Sequence, residues 1–242
     1  MNYDLQYKQY GNQALLIEWP EKINEAILND ILSFKNKIES EQAIKIEDLI
    51  IGYNSLTIIY NNSVLNFQEE IARLKATYIK LDLRLDKKTK TWLIPVCYDE
   101  EFGIDLKQIS HDKNRPIEEI IDVHSKTIYT IYFIGFLPGF LYLGVLNRKI
   151  HSNRKNTPSL TVSKGSVGIG GSQTGIYPSE SAGGWNIIGK TPISFFDVSK
   201  QEPCFAKSGD KIHFFSITKK EYYFLEESIK NGLYELKCIE ND

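Results

Sequence analysis

The chain has 242 residues, 42% hydrophobic and 25% charged, the range of an ordinary globular protein with room for one large domain or two small ones. Its 29 Lys and Arg against 31 Asp and Glu leave a net charge of −2, so the basic excess that displaces counterions from nucleic acid is missing. Cys97, Cys204 and Cys238 are odd in number and far apart, which argues against a disulfide framework or a CxxC zinc site and favours a reducing, cytoplasmic setting.

No basic segment leading into an apolar run opens the chain, so no signal peptide is expected. Residues 13–19 read as a strand, and Ile23, Ile27, Ile31, Phe34 and Ile38 then recur at helical spacing. Asp48 to Tyr60, with Gly52 and Asn54-Ser55 at its centre, predicts two strands and a turn. Phe67, Ile71, Leu74 and Tyr78 mark a second amphipathic helix, and Thr91 to Val96 a further strand. The order βαββαβ predicts a small ferredoxin-like domain over roughly the first third of the chain, with its boundary set at residues 1–87 although the last strand of the pattern falls just beyond. The charge-dense stretch from Leu81 to Lys90 reads as its linker to a second domain, 88–242. There, two short helices near 103–111 and 116–126 precede short apolar strands and Gly/Ser/Pro turns, which predict a β-barrel or sandwich. The fold class is therefore α+β.

Thr127 to Asn147 is 21 residues without a formal charge, long enough to span a bilayer. Gly135, Pro138, Gly139 and Gly144 interrupt it, however, and a lipid-exposed span must satisfy its own backbone, so no membrane association is expected.

Eleven of the 16 glycines lie between Gly135 and Gly189, interleaved with aromatic and aliphatic residues. Such a block builds tight corners and can expose main-chain N–H groups. Glu180 is its only acid, whereas Arg148, Lys149, Arg154, Lys155 and Lys164 are basic. A basic, N–H-lined cleft for a small anion and the plain corners of a β-barrel both fit this pattern. Gly184 to Thr191 satisfies the letters of a P-loop, G-x-x-x-x-G-K-T. It lacks the preceding strand and following helix that phosphate binding requires, and its Trp-Asn-Ile-Ile centre is itself strand-like. His124 shares a helical face with Ile117, Ile120 and Ile121, a position more often structural than catalytic. The other histidines show no metal-ligand spacing, and no serine stands in a nucleophile elbow.

The motifs Gly135-Phe-Leu-Pro-Gly-Phe-Leu-Tyr-Leu-Gly144, Gly165-Ser-Val-Gly-Ile-Gly-Gly171, Gln173-Thr-Gly-Ile-Tyr-Pro178 and Gly183-Gly-Trp-Asn-Ile-Ile-Gly189 resemble, in order, one family. It is the family of the 5-oxoprolinase B subunit, the KipI kinase inhibitor and allophanate hydrolase subunit 1. Ile94 to Tyr98, Phe102 to Leu106, Ile121-x-x-His124-Ser125 and Gly209 to Phe214 extend the resemblance over nearly the whole chain. It implies a small N-terminal α/β domain followed by a cyclophilin-like β-barrel. It also implies ATP-dependent, Mg-assisted opening of 5-oxoproline to glutamate. Two partners are implied, a homologous C subunit plus an A subunit, with the nucleotide at or shared with a partner. The implied binding surface for a small anionic substrate is Phe136, Pro138, Gly139, Tyr142, Arg154, Gly170, Gly171, Gln173, Thr174, Tyr177, Gly183, Gly184, Trp185 and Lys190, with His124 as the catalytic candidate and no metal ligand. Two alternatives travel with the family. One is a KipI-type inhibitor of a sensor histidine kinase; the other is a carboxyltransferase-like module fed by biotin carried on another chain. The sequence departs from the family's usual residues at Ser159, Ser163-Lys164, Ala182 and Lys190.

Overall fold

The structure, a computed structural model, describes residues 3–41, 46–64, 66–81 and 88–241. The chain divides into two compact units, Met1–Lys87 and Lys88–Asp242. Residues 82–87, the centre of the expected linker, lie outside the described residues.

In the first unit, β1 (Gln6–Tyr10), β2 (Ala14–Glu18), β3 (Ile46–Ile51) and β4 (Ser55–Tyr60) form an antiparallel sheet ordered β1-β2-β4-β3. Helix α1 (Glu25–Glu41) buries Ile27, Ile31, Phe34 and Ile38, spaced by three or four residues, against Leu15 and Ile17 of β2 and Leu56 and Ile58 of β4. Helix α2 (Phe67–Ile79) starts at Asn66, whose side chain accepts from the N–H groups of Gln68 and Glu69. The element order is thus ββαββα, not the expected βαββαβ. The last strand of the expected domain, at Thr91–Val96, belongs to the second unit. The sheet edge beside β2 is instead taken by β1, whose Gln-Tyr-Lys-Gln-Tyr sequence is mostly exposed and carries no apolar alternation.

The second unit is built on a closed barrel. Its strands are β5 (Thr89–Cys97), β6 (Ile128–Ile134), β7 (Leu141–Gly144), β9 (Ser166–Gly170), β10 (Gln173–Ile176), β12 (Asn186–Lys190) and β13 (Lys211–Ile217). They run β12-β9-β10-β7-β6-β13-β5, and the pairing of Lys190 with Cys97 returns the last strand to the first. The uncharged stretch 127–147 is accounted for by β6, β7 and their connection, and among the described residues no helix is long and apolar enough to cross a membrane. Strand β14 (Cys238–Asn241) pairs with the first half of β5. Leu93 donates its N–H to the carbonyl of Lys237, so Pro95, two residues on, faces the same edge between β14 and β12, where its missing N–H costs no ladder bond.

The barrel interior is filled by Ile94, Val96, Tyr129, Ile131, Leu141, Leu143, Val167, Ile169, Ile176, Ile188, Ile212 and Phe214. Helices α3 (Leu106–Lys113) and α4 (Ile117–Ser125) precede β6, and α4 packs on β13. Outside the barrel, β8 (Ser159–Val162) and β11 (Ser181–Gly183) form a two-stranded ribbon. Helix α5 (Lys219–Lys230) sets Tyr222 against Cys97 and Phe102.

Candidate functional site

Along β9 and β10 the residues alternate strictly. Val167, Ile169, Thr174 and Ile176 point into the barrel, so Gly168, Gly170 and Gly175 face outward. The ladder sets Gly175 opposite Gly168 and Gln173 opposite Gly170, so the three glycines make one patch of wall without side chains. The indole of Trp185 lies on it. A Cβ at Gly170 would fall 2.5 Å from Trp185 Nε1, one at Gly175 3.0 Å from Trp185 Cζ3, and one at Gly168 3.2 Å from Trp185 Cβ. Glycine is required here to seat an aromatic ring against the strand.

A second core forms on this patch, outside the barrel. Phe140 meets Tyr177 and Trp185 edge to face, with centroids 5.2 and 5.6 Å away, and Tyr142 at 4.8 Å. Tyr142 stacks on Phe133 at 4.2 Å. The Tyr177 hydroxyl occupies the space a side chain at Gly183 would need, 2.3 Å from an added Cβ. Arg154 lies over the Trp185 ring, its guanidinium carbon 5.8 Å from the centroid. Burial raises the pKa of both Tyr142 and Tyr177. For Tyr177 the main-chain N–H of Trp185 and then the Arg154 charge pull it back; for Tyr142 the Arg154 charge does so alone.

Among the expected site residues, Tyr142, Arg154, Gly170, Tyr177, Gly183 and Trp185 are therefore brought together. Phe136 adds an exposed ring 5.8 Å from Phe140. Pro138 and Gly139 belong to the same tight connection between β6 and β7, with Gly139 at φ +82° against the carbonyl of Phe195. Gly171 and Gln173 form the β9–β10 corner, where Gly171 exchanges main-chain hydrogen bonds with Ser152. Gly184 accepts from the N–H of Lys155. The glycine block is thus a paired and covered wall more than an N–H-lined cleft.

Its charge is also smaller than the local sequence predicts, because the fold supplies acids from elsewhere. Lys155 pairs with Asp105 at 2.8 Å, and Lys149 approaches Glu119 at 3.9 Å. Asp105 also accepts from the N–H of Ile187 and returns its own N–H to the carbonyl of Ile187. The P-loop letters fall on β12, and no helix follows it.

Three expected residues lie elsewhere, two of them inside the barrel. Thr174 faces the barrel interior with His124, and both are fully buried. Thr174 Oγ1 donates to the carbonyl of Gly168, so it accepts from His124 Nε2 at 3.0 Å. His124 Nδ1 then accepts from the Tyr98 hydroxyl at 2.8 Å. Burial pushes the Tyr98 phenol well above its ordinary value and depresses the His124 pKa to about 3, so both stay neutral. Stacked on Phe214 at 4.7 Å, His124 is walled off from solvent and links α4 to the barrel.

Lys190, at the end of β12, lines a separate cavity of about 270 Å³ on the outer wall. The other walls include Phe102, Ser159, Thr161, Ser163, Ser166 and Ile187. The sequence reading missed Phe140, Phe133 and these hydroxyls as site residues. The alternation Ser159-x-Thr161-x-Ser163 was their visible sign, since it puts three hydroxyls on one face of a strand.

Residues 5–206 match the family described as carboxyltransferase domain, subdomain C and D. The chain is 32% identical to the 5-oxoprolinase B subunit of Bacillus subtilis (strain 168) over 239 residues, covering 94% of this chain and 99% of that protein. It superposes on the crystal structure of TTHA0988 with a TM-score of 0.74 and 26% identity, covering 85% of this chain but only 40% of the other. The Kluyveromyces lactis urea amidolyase structure shares the fold over 99% of this chain (TM-score 0.84, 19% identity), which is 16% of that protein.

Proposed function

The chain belongs to the carboxyltransferase-domain family of subdomains C and D, whose members include the 5-oxoprolinase B subunit, and from that premise we propose that it is the B subunit of an ATP-dependent 5-oxoprolinase. The observation that carries the reading is sequence identity: the chain is 32% identical to the 5-oxoprolinase B subunit over 239 residues, whereas the urea amidolyase likeness is 19% identical. The proposed reaction opens the lactam of 5-oxoproline with water to give glutamate, as ATP goes to ADP and phosphate. Phosphorylation of the lactam oxygen would make the ring carbonyl electrophilic enough for water to attack, chemistry that rests mainly on positioning and charge.

The P-loop letters form a barrel strand with no helix directly after it, so they do not cradle a phosphate. In this reading ATP and Mg sit at, or are shared with, the partners, a homologous C subunit plus an A subunit. What this chain contributes is the outer barrel face, with an aromatic platform carrying Arg154 and a cavity carrying Lys190, suited to holding a small anion. The family's description as a carboxyltransferase domain favours a second reading, transfer from carboxybiotin borne on another chain.

The deciding experiment reconstitutes the chain with the A and C subunits and measures ATP hydrolysis with and without 5-oxoproline. Stimulation that requires this chain is expected. Equal rates with and without 5-oxoproline would sink the reading, and activity dependent on a biotinylated partner would move it to the second one.

A further inference from the structure

The cavity bearing Lys190 has features that the aromatic cluster does not explain. Lys190 forms no ion pair among the described residues; its ammonium sits 5.8 Å from the centre of the Phe102 ring. Ser159, Thr161 and Ser163 alternate along and just past β8 and line the same space. Ser166, opposite Lys190 in the β9–β12 ladder, is 95% buried in the wall. None of these four hydroxyls makes a side-chain hydrogen bond to another described residue; Ser166 is buried, Ser159 is half-buried, and Thr161 and Ser163 are exposed, so the last three are open to solvent. Glu101, the one acid on the wall, is neutralised by Lys219 and accepts from Tyr223 at 3.2 Å. The remaining lining is apolar: Phe102, Ile104, Val162 and Ile187.

We propose that this cavity binds a small carboxylate with a compact, largely apolar body, the carboxylate held by Lys190 and the hydroxyls of Ser166, Thr161 and Ser163. A cation beside several O–H donors suits an oxyanion, and charge-assisted hydrogen bonds are the strong ones. At about 270 Å³ the space is below the ~300–1,000 Å³ of sites for drug-sized ligands, so the ligand is small. One cation matches one negative charge, which favours a carboxylate over a phosphate. The inference rests on the function proposed above only in choosing 5-oxoproline, a five-membered ring with one carboxylate, as the first probe.

The test is calorimetric titration of the intact chain with 5-oxoproline, cyclopentanecarboxylate, 2-pyrrolidinone and inorganic phosphate. Both carboxylates should bind, and the uncharged lactam should not. Lys190→Gln should weaken carboxylate binding at least tenfold, Lys190→Arg should restore most of it, and Ser166→Ala should weaken it several-fold with unchanged circular dichroism. Absence of carboxylate binding, or equal affinity in Lys190→Gln and Ser166→Ala, overturns the proposal. So does phosphate binding through Lys190 without carboxylate binding. Lys190-dependent binding of cyclopentanecarboxylate in a chain whose reconstituted complex lacks 5-oxoproline-dependent ATP hydrolysis leaves the cavity standing and removes the 5-oxoprolinase reading.

Discussion

His124 hydrogen-bonds through both ring nitrogens as a neutral imidazole, accepting from the Tyr98 hydroxyl at Nδ1 and donating from Nε2 to Thr174. Its folded pKa of about 3 lies below the ordinary value of 6.5, so the unfolded chain binds the extra proton first as pH falls. Stability from this group is therefore complete above about pH 6.5 and declines towards pH 3, by at most about 1.4 kcal/mol per pH unit. Urea unfolding measured from about pH 7 down to pH 4 should show that slope, and His124→Gln should flatten it. An identical slope in the variant would remove His124 as its source. Gly170 is the second informative residue. Gly170→Ala places a methyl group 2.5 Å from Trp185 Nε1 and must lift the indole from the wall. A loss of about 1–3 kcal/mol is expected, with a red shift of Trp185 emission as the ring gains water. Unchanged stability and emission would show that the glycine patch does not seat the ring.

At the scale of elements, α5 was not legible. Helix α5 buries Tyr222 fully, half-buries Leu225 and Ile229 on the same face and leaves Phe224 exposed, so its apolar stripe is short. What defines it is its start. Thr218 accepts from the N–H of Glu221, whose carboxylate accepts from the N–H of Thr218, a complete capping box. Thr218→Ala should cost about 1 kcal/mol in chemical denaturation. It should also loosen the hold of α5, through Lys219 and Tyr223, on Glu101 at the cavity wall. Stability within a few tenths of a kcal/mol of the parent would show that the cap is not a main determinant of this helix. By contrast, α1 and α2 were readable because each buries one stripe, and β5 because it is apolar on both faces. Apolar runs report that a strand is buried and leave open which sheet buries it. That is how β5 came to be expected in the first unit.

For the whole molecule, the two units have separate cores. One is centred on Phe34 and Leu56, and the other fills the barrel around Phe214 and Ile131. Each unit pairs its own strands and packs its own helices. A chain of residues 88–242 should therefore fold by itself, giving the dispersed amide spectrum of the barrel unit in the full chain. An insoluble or collapsed product with poor dispersion would show that the barrel needs the first unit to fold.

The sequence by itself determined that the chain is α+β, that its later part is β-rich, and that the glycine-rich block marks the family. Each of these follows from local chemistry: side-chain periodicity, the conformational range of glycine and the order of motifs. Only the tertiary structure decided what the block does. Whether a glycine exposes an N–H, turns a corner or seats an indole depends on which residue reaches it from elsewhere, and Trp185 reaches Gly170 across a strand pair. Charge obeys the same rule. Lys155 is cancelled by Asp105, fifty residues earlier, while Lys190 has no such partner among the described residues, because an ion pair depends on distance in space and not on separation along the chain.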